Sequence, residues 1–128
     1  PKYMMTHKEL VIEFAKTWNN LDSSHIRELL APNFHYASQW VFSEIESKNE
    51  YLEYLDGKFK AIADAGDKII AEVGNYWSNY CLVLTQVENE SNKKVTFIIE
   101  TKDGLMVRAD LCGIPCPEDI EMLGIIPK

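Results

Sequence analysis

The amino-acid sequence predicts an α+β domain in which a curved antiparallel sheet packs against about three N-terminal helices. Three observations carry this. Helix-spaced apolar stripes are confined to the first 66 residues. From Phe34 the spacing of apolar residues switches to two. After Gly66 the chain is strand-like almost to its end, with an Asp103-Gly104 hairpin signal near its close. Segregated helices and consecutive strands are the pattern of α+β rather than α/β architecture.

Thr6 and Glu9 form a capping box that opens the first helix. Leu10, Val11, Phe14, Trp18 and Leu21 are its apolar stripe, and Asn19-Asn20 ends it. Asp22-Ser23-Ser24 offers N-caps for a short second helix carrying Ile26, Leu29 and Leu30, closed at Pro32. A strand from Phe34 to about Phe42 follows, with Phe34, Tyr36, Ser38 and Trp40 on one face and His35 and Ala37 on the other. Ser47 and Glu50 cap the longest helix, striped by Tyr51, Leu52, Leu55, Phe59 and Ile62 and stopped by Gly66. Strands at 68–73, 76–87, 94–101 and 105–112 form a meander, with a polar loop at Asn89-Glu90-Ser91-Asn92. The tail holds two prolines, Pro115 and Pro117, that bar it from a sheet centre, and Glu118–Leu123 reads as a terminal helical turn.

The 128 residues make one domain, with a core at about 6–112 and a tail at 113–128. Thirteen basic against twenty acidic residues give a net charge of −7, a field that repels nucleic-acid phosphates. No apolar run is long enough to span a membrane. Three cysteines, an odd count, with no apolar leader, predict reduced thiols in a cytoplasmic protein.

WNNLD (18–22), LLAPNFHYASQW (29–40), EIESKNEYLEYLDGKF (44–59) and KDGLMVRADL (102–111) follow one another in an order that resembles the SnoaL-like branch of the nuclear transport factor 2-like superfamily. The resemblance implies a cone-shaped α+β barrel with a pocket at its wide end, often a homodimer through its sheet. It implies no single activity, because relatives include isomerases, cyclases and binding proteins. Steroid isomerases of this layout place a phenol and a carboxylate where this chain has Phe14 and Ser38. Phenylalanine cannot donate to an enolate, and serine is no carbanion-forming base.

Phe14, Trp18, Tyr36, Trp40, Tyr54 and Phe59, with the Ser38 hydroxyl, read either as ordinary core or as the wall of a pocket for a small apolar or aromatic ligand. Arg108, Asp110 and Glu100 have a parity that the sequence leaves open; facing inward, Asp110 would join that pocket. An isomerase-, cyclase- or dehydratase-type enzyme would use Asp110, Glu100 or His35 as its base. The charge of −7 equally fits an acidic module for a basic protein partner. His7, His25 and His35 have no metal-ligand spacing, Cys112 and Cys116 lack that of a redox pair, and no phosphate loop is present, so no metal or cofactor is expected.

Overall fold

A computed structural model describes residues 4–88 and 91–128. Two helices, α1 (His7–Asn20) and α2 (Lys48–Ala65), lie on the concave face of a seven-stranded sheet. Its strands are β1 (Leu30–Ser38), β2 (Val41–Ile45), β3 (Lys68–Tyr76), β4 (Asn79–Glu88), β5 (Ser91–Lys102), β6 (Leu105–Cys112) and β7 (Glu121–Ile125). They are ordered β2-β1-β6-β5-β4-β3-β7.

The caps form as the sequence predicts. Thr6 and Glu9 close a reciprocal box on α1, and Ser47 Oγ accepts from Glu50 N–H at 3.1 Å to open α2. Gly66 ends α2 at φ +73°, the left-handed geometry that favours glycine. The expected second helix is a single 3-10 turn, Ser23–His25. Leu30 enters β1 instead, and Met106 N–H donates to Leu29 O at 2.8 Å. The strand accommodates Pro32 because β2 pairs only with its far end, at Tyr36 and Ser38.

The single strand expected over Phe34–Phe42 is a hairpin, β1 turning at Gln39–Trp40 into β2. This turn corrects the topology as well. Every hairpin reverses the chain, and this additional reversal brings β6 back alongside β1 in the parallel sense. The sheet is therefore mixed, not wholly antiparallel. A second turn lies at Trp77–Ser78, inside the strand expected over 76–87, while the gap expected after 73 is continuous strand through Gly74. Asn89 and Glu90, half of the expected polar loop, lie outside the described residues.

The concave face buries Phe34, Tyr36, Leu82, Phe97 and Ala109 against Leu10, Phe14, Tyr51 and Leu55 of the helices. Aromatic packing is dense: Phe14 meets Phe97 edge-on at 4.9 Å, and Trp18 meets Phe59 at 5.0 Å. A smaller cluster on the convex face is made by the tail. Thr96 Oγ1 donates to Pro115 O at 2.8 Å, and Ile120 packs with Cys81 and Val83. A Cβ at Gly74 would stand 2.3 Å from Ile120 Cγ2, so only glycine lets the tail seat there. The expected terminal helix is a 3-10 turn, Pro117–Asp119, and then β7 on the β3 edge. The tail thus occupies part of the sheet face that the sequence reading assigns to a second copy. Among the described residues no helix is long and apolar enough to cross a membrane.

Candidate functional site

A cavity of about 510 Å³ opens between the helices and the concave face. Trp18, at the end of α1, and Trp40, at the β1–β2 turn, stand on its walls, with Leu84, Val95 and Leu111 from the sheet. Gln86, Lys58, Lys93 and Lys94 supply its polar groups. Trp18 is 3% exposed and its Nε1–H has no acceptor among the described residues. Trp40 is 55% exposed, because the turn carries it off the face that Phe34, Tyr36 and Ser38 share. Gln86 Nε2 donates to Asp67 Oδ2 at 3.2 Å.

The other aromatic candidates lie outside this wall, Tyr54 exposed and Phe14, Tyr36 and Phe59 buried. Phe14 and Phe59 are buried core. The Tyr36 ring lies 5.0 Å from that of Tyr51 and 5.5 Å from that of Tyr54. Ser38 Oγ accepts from Trp40 N–H at 3.3 Å, and Ser38 and Tyr54 are polar neighbours of the Tyr36 phenol. A chain of polar groups therefore leads from the Trp40 turn into the tyrosine cluster. Burial, then the neighbouring Tyr54, pushes the Tyr36 phenol well above its ordinary range. Burial does the same to Tyr51, whose hydroxyl has no partner among the described residues.

The three candidate bases occupy the opposite side of the sheet. Ala109 is buried on the concave face, so its neighbours Arg108 and Asp110 point outward. Arg108 Nε donates to Asp110 Oδ2 at 2.9 Å and its Nη2 to Oδ1 at 2.9 Å. This pairing, ahead of the other causes, raises the guanidinium pKa. Asp110 is thus held on the convex face, away from the aromatic set with which the sequence reading grouped it. Glu100 sits opposite Arg108 on β5, and His35 opposite it on β1. His35 Nε2 pairs with the Glu44 carboxylate, which holds that carboxyl below its usual range.

Folding does assemble what sequence spacing hides here: His35, Glu44 and Glu46 bring donor atoms within 4.8 Å of one another. Glu44 also faces Arg108 Nη2 at 3.7 Å, and that guanidinium opposes a cation beside it. Cys81, Cys112 and Cys116 are free thiols, and burial pushes Cys81 up to about 11.

Of the pocket wall, Trp18 and Trp40 were legible from sequence. The lysines and Gln86 were not. Gln86 continues the inward alternation of Leu82 and Leu84, and the Lys93-Lys94 doublet opens β5; those are the signals that point to them.

Neither a family model nor a curated protein matches the chain. Its fold is the nuclear transport factor 2-like, or cystatin-like, α+β fold. An NTF2-like protein of unknown function from Cytophaga hutchinsonii superposes with a TM-score of 0.61 at 15% identity, over 90% of this chain and 97% of that one. A protein named as a candidate ketosteroid isomerase from Kribbella flavida gives 0.62 at 15% identity, over 80% and 73%. One named as a candidate polyketide cyclase from Sinorhizobium meliloti gives 0.61 at 15%, over 80% and 92%. These identities speak for the fold alone.

Proposed function

We propose that this protein is a SnoaL-like member of the fold whose role is to bind a small, mostly apolar or aromatic molecule between Trp18 and Trp40. The observation that carries the reading is the cavity of about 510 Å³ bounded by two indoles and by Leu84, Val95 and Leu111. A wall of that size and character, with a few convergent polar groups, matches the general form of small-molecule sites. The motifs at 18–22, 29–40 and 102–111 support the branch. An isomerase or cyclase would need a base in this cavity, whereas His35, Glu100 and Asp110 stand across the sheet from it.

The test is calorimetric titration with a neutral bicyclic aromatic, 2-naphthylmethanol, on the intact chain and on Trp40→Ala. The indole is a large share of the wall at an exposed turn, so its removal should weaken binding about tenfold without unfolding the chain. Equal affinity for both proteins, or no binding to either, overturns the reading.

A further inference from the structure

We infer that His35, Glu44 and Glu46 form a binding site for a divalent first-row transition-metal ion, which pins the β1–β2 hairpin from the convex side of the sheet. The site stands apart from the cavity, and the inference does not rest on the pocket reading.

Strand pairing builds the donor set. Glu44 lies in β2 and Glu46 just past its end, two positions apart, the spacing that returns to one face of an extended chain. Tyr36 and Ile45 are cross-strand partners, and both turn toward the core on the concave side. His35, beside Tyr36, and the two glutamates flanking Ile45 therefore share the convex face. One imidazole nitrogen serves both carboxylates: His35 Nε2 contacts Glu44 Oε2 and lies 4.0 Å from Glu46 Oε1. All three donor atoms are within 4.8 Å of one another. An ion about 2.0–2.2 Å from each donor holds them about 3–4 Å apart, so small rotations of two exposed glutamates close the set around it.

The surroundings fit a ligand role. Glu44 Oε1 faces Arg108 Nη2 at 3.7 Å, which leaves Oε2 turned to the imidazole. Arg108 is fixed in turn by two bonds of 2.9 Å to Asp110. Partners of this kind behind a ligand set its orientation. The guanidinium by itself opposes a cation, but it is outnumbered. Glu44, Glu100 and Asp110 all act on Arg108, and Glu46 adds a fourth carboxylate. Among the described residues the one ion pair of Glu46 is the 4.0 Å contact with His35. A dication supplies the counter-charge that one guanidinium leaves short. Imidazole with carboxylates suits zinc and its neighbours in the row, whereas calcium and magnesium take oxygen ligands. Water completes the coordination, as it does in open three-ligand sites.

The experiment is calorimetric titration of Zn²⁺ into the intact chain with its thiols kept reduced, and into His35→Ala and Glu46→Gln. The intact chain should bind about one Zn²⁺, and each substitution should weaken that binding about tenfold. Glu46 is exposed, so Glu46→Gln keeps the fold. Saturating Zn²⁺ should raise the melting midpoint of the intact chain and leave that of Glu46→Gln nearly unmoved, because the ion binds only the folded hairpin. Co²⁺ in place of Zn²⁺ should give weak d–d bands without a thiolate charge-transfer band, which separates this site from Cys81, Cys112 and Cys116. No binding to the intact chain, unchanged affinity in either variant, or a thiolate band with Co²⁺ overturns the inference.

Discussion

Asn19 and Ala71 pair as if the side-chain amide were a strand residue: Ala71 N–H donates to Asn19 Oδ1 at 2.7 Å, and Asn19 Nδ2 donates back to Ala71 O at 2.9 Å. β7 pairs with β3 only at Val73–Asn75, so Ala71 lies past the end of that ladder. The amide completes it, and Nδ2 also reaches Pro127 O at 2.6 Å, tying α1, β3 and the C-terminus together. Asn19→Ala leaves a backbone N–H and C=O without partners at a partly buried edge. The expected loss is about 1–3 kcal/mol, read as a lower urea midpoint at unchanged slope, with faster amide exchange at Ala71. Unaltered stability would show that water replaces the amide at no cost.

Tyr51 presents the reverse situation. It is fully buried in the aromatic cluster, yet its hydroxyl has no partner among the described residues. Tyr51→Phe removes a desolvated polar group while keeping the ring contacts with Phe34 and Tyr36 at 4.8 and 5.0 Å. Stability should rise by about 1 kcal/mol. A destabilised variant in the same urea melt would mean the hydroxyl is bonded in solution.

The same cluster sets the alkaline limit of the fold. Burial raises the phenols of Tyr36 and Tyr51 above their ordinary value of 10.0 in the folded state. Both are neutral below that value in folded and unfolded chains alike, and their contribution is then fully present. As pH climbs past 10 only the unfolded chain ionises them, and stability is lost. Absorbance at 295 nm should show these two of the six tyrosines releasing protons only as far-UV circular dichroism collapses. Ionisation of all tyrosines near pH 10 with the dichroism intact would contradict this.

How much of this was legible in the sequence depended on whether a residue's environment is local. The caps at Thr6 and Ser47, the stop at Gly66 and the Asp103-Gly104 turn rest on neighbours a few residues away, and they form as read. Gln39–Trp40 carries neither glycine nor proline, so the turn there left no trace, and with it went the parallel pairing of β1 with β6. The gap left between the expected strands at 68–73 and 76–87 is continuous strand, and the reason for glycine at position 74 is hidden because its partner, Ile120, is 46 positions away. The site divides the same way. Aromatic spacing exposed Trp18 and Trp40, but Lys58 and Gln86 look like solvated surface until α2 and β4 are brought to one cavity.

Trp77 and Ser78 supply the last prediction. They make the β3–β4 turn with φ of +52° and +67°, the geometry of a two-residue type I′ hairpin. Neither is glycine, asparagine or aspartate, the residues that adopt this conformation with least strain. Trp77 is 84% exposed and touches little beyond the Tyr76 ring, at 6.2 Å, so its side chain returns little of that cost. The double substitution Trp77→Asn/Ser78→Gly should relieve roughly 1–2 kcal/mol. The gain would appear as a higher denaturant midpoint at the same slope, since the area exposed on unfolding hardly changes. The turn at Asp103-Gly104, with φ of +53° and +79°, is the internal reference for the unstrained case. A variant no more stable than the parent would mean that the indole packs onto the sheet edge in solution strongly enough to offset its backbone strain.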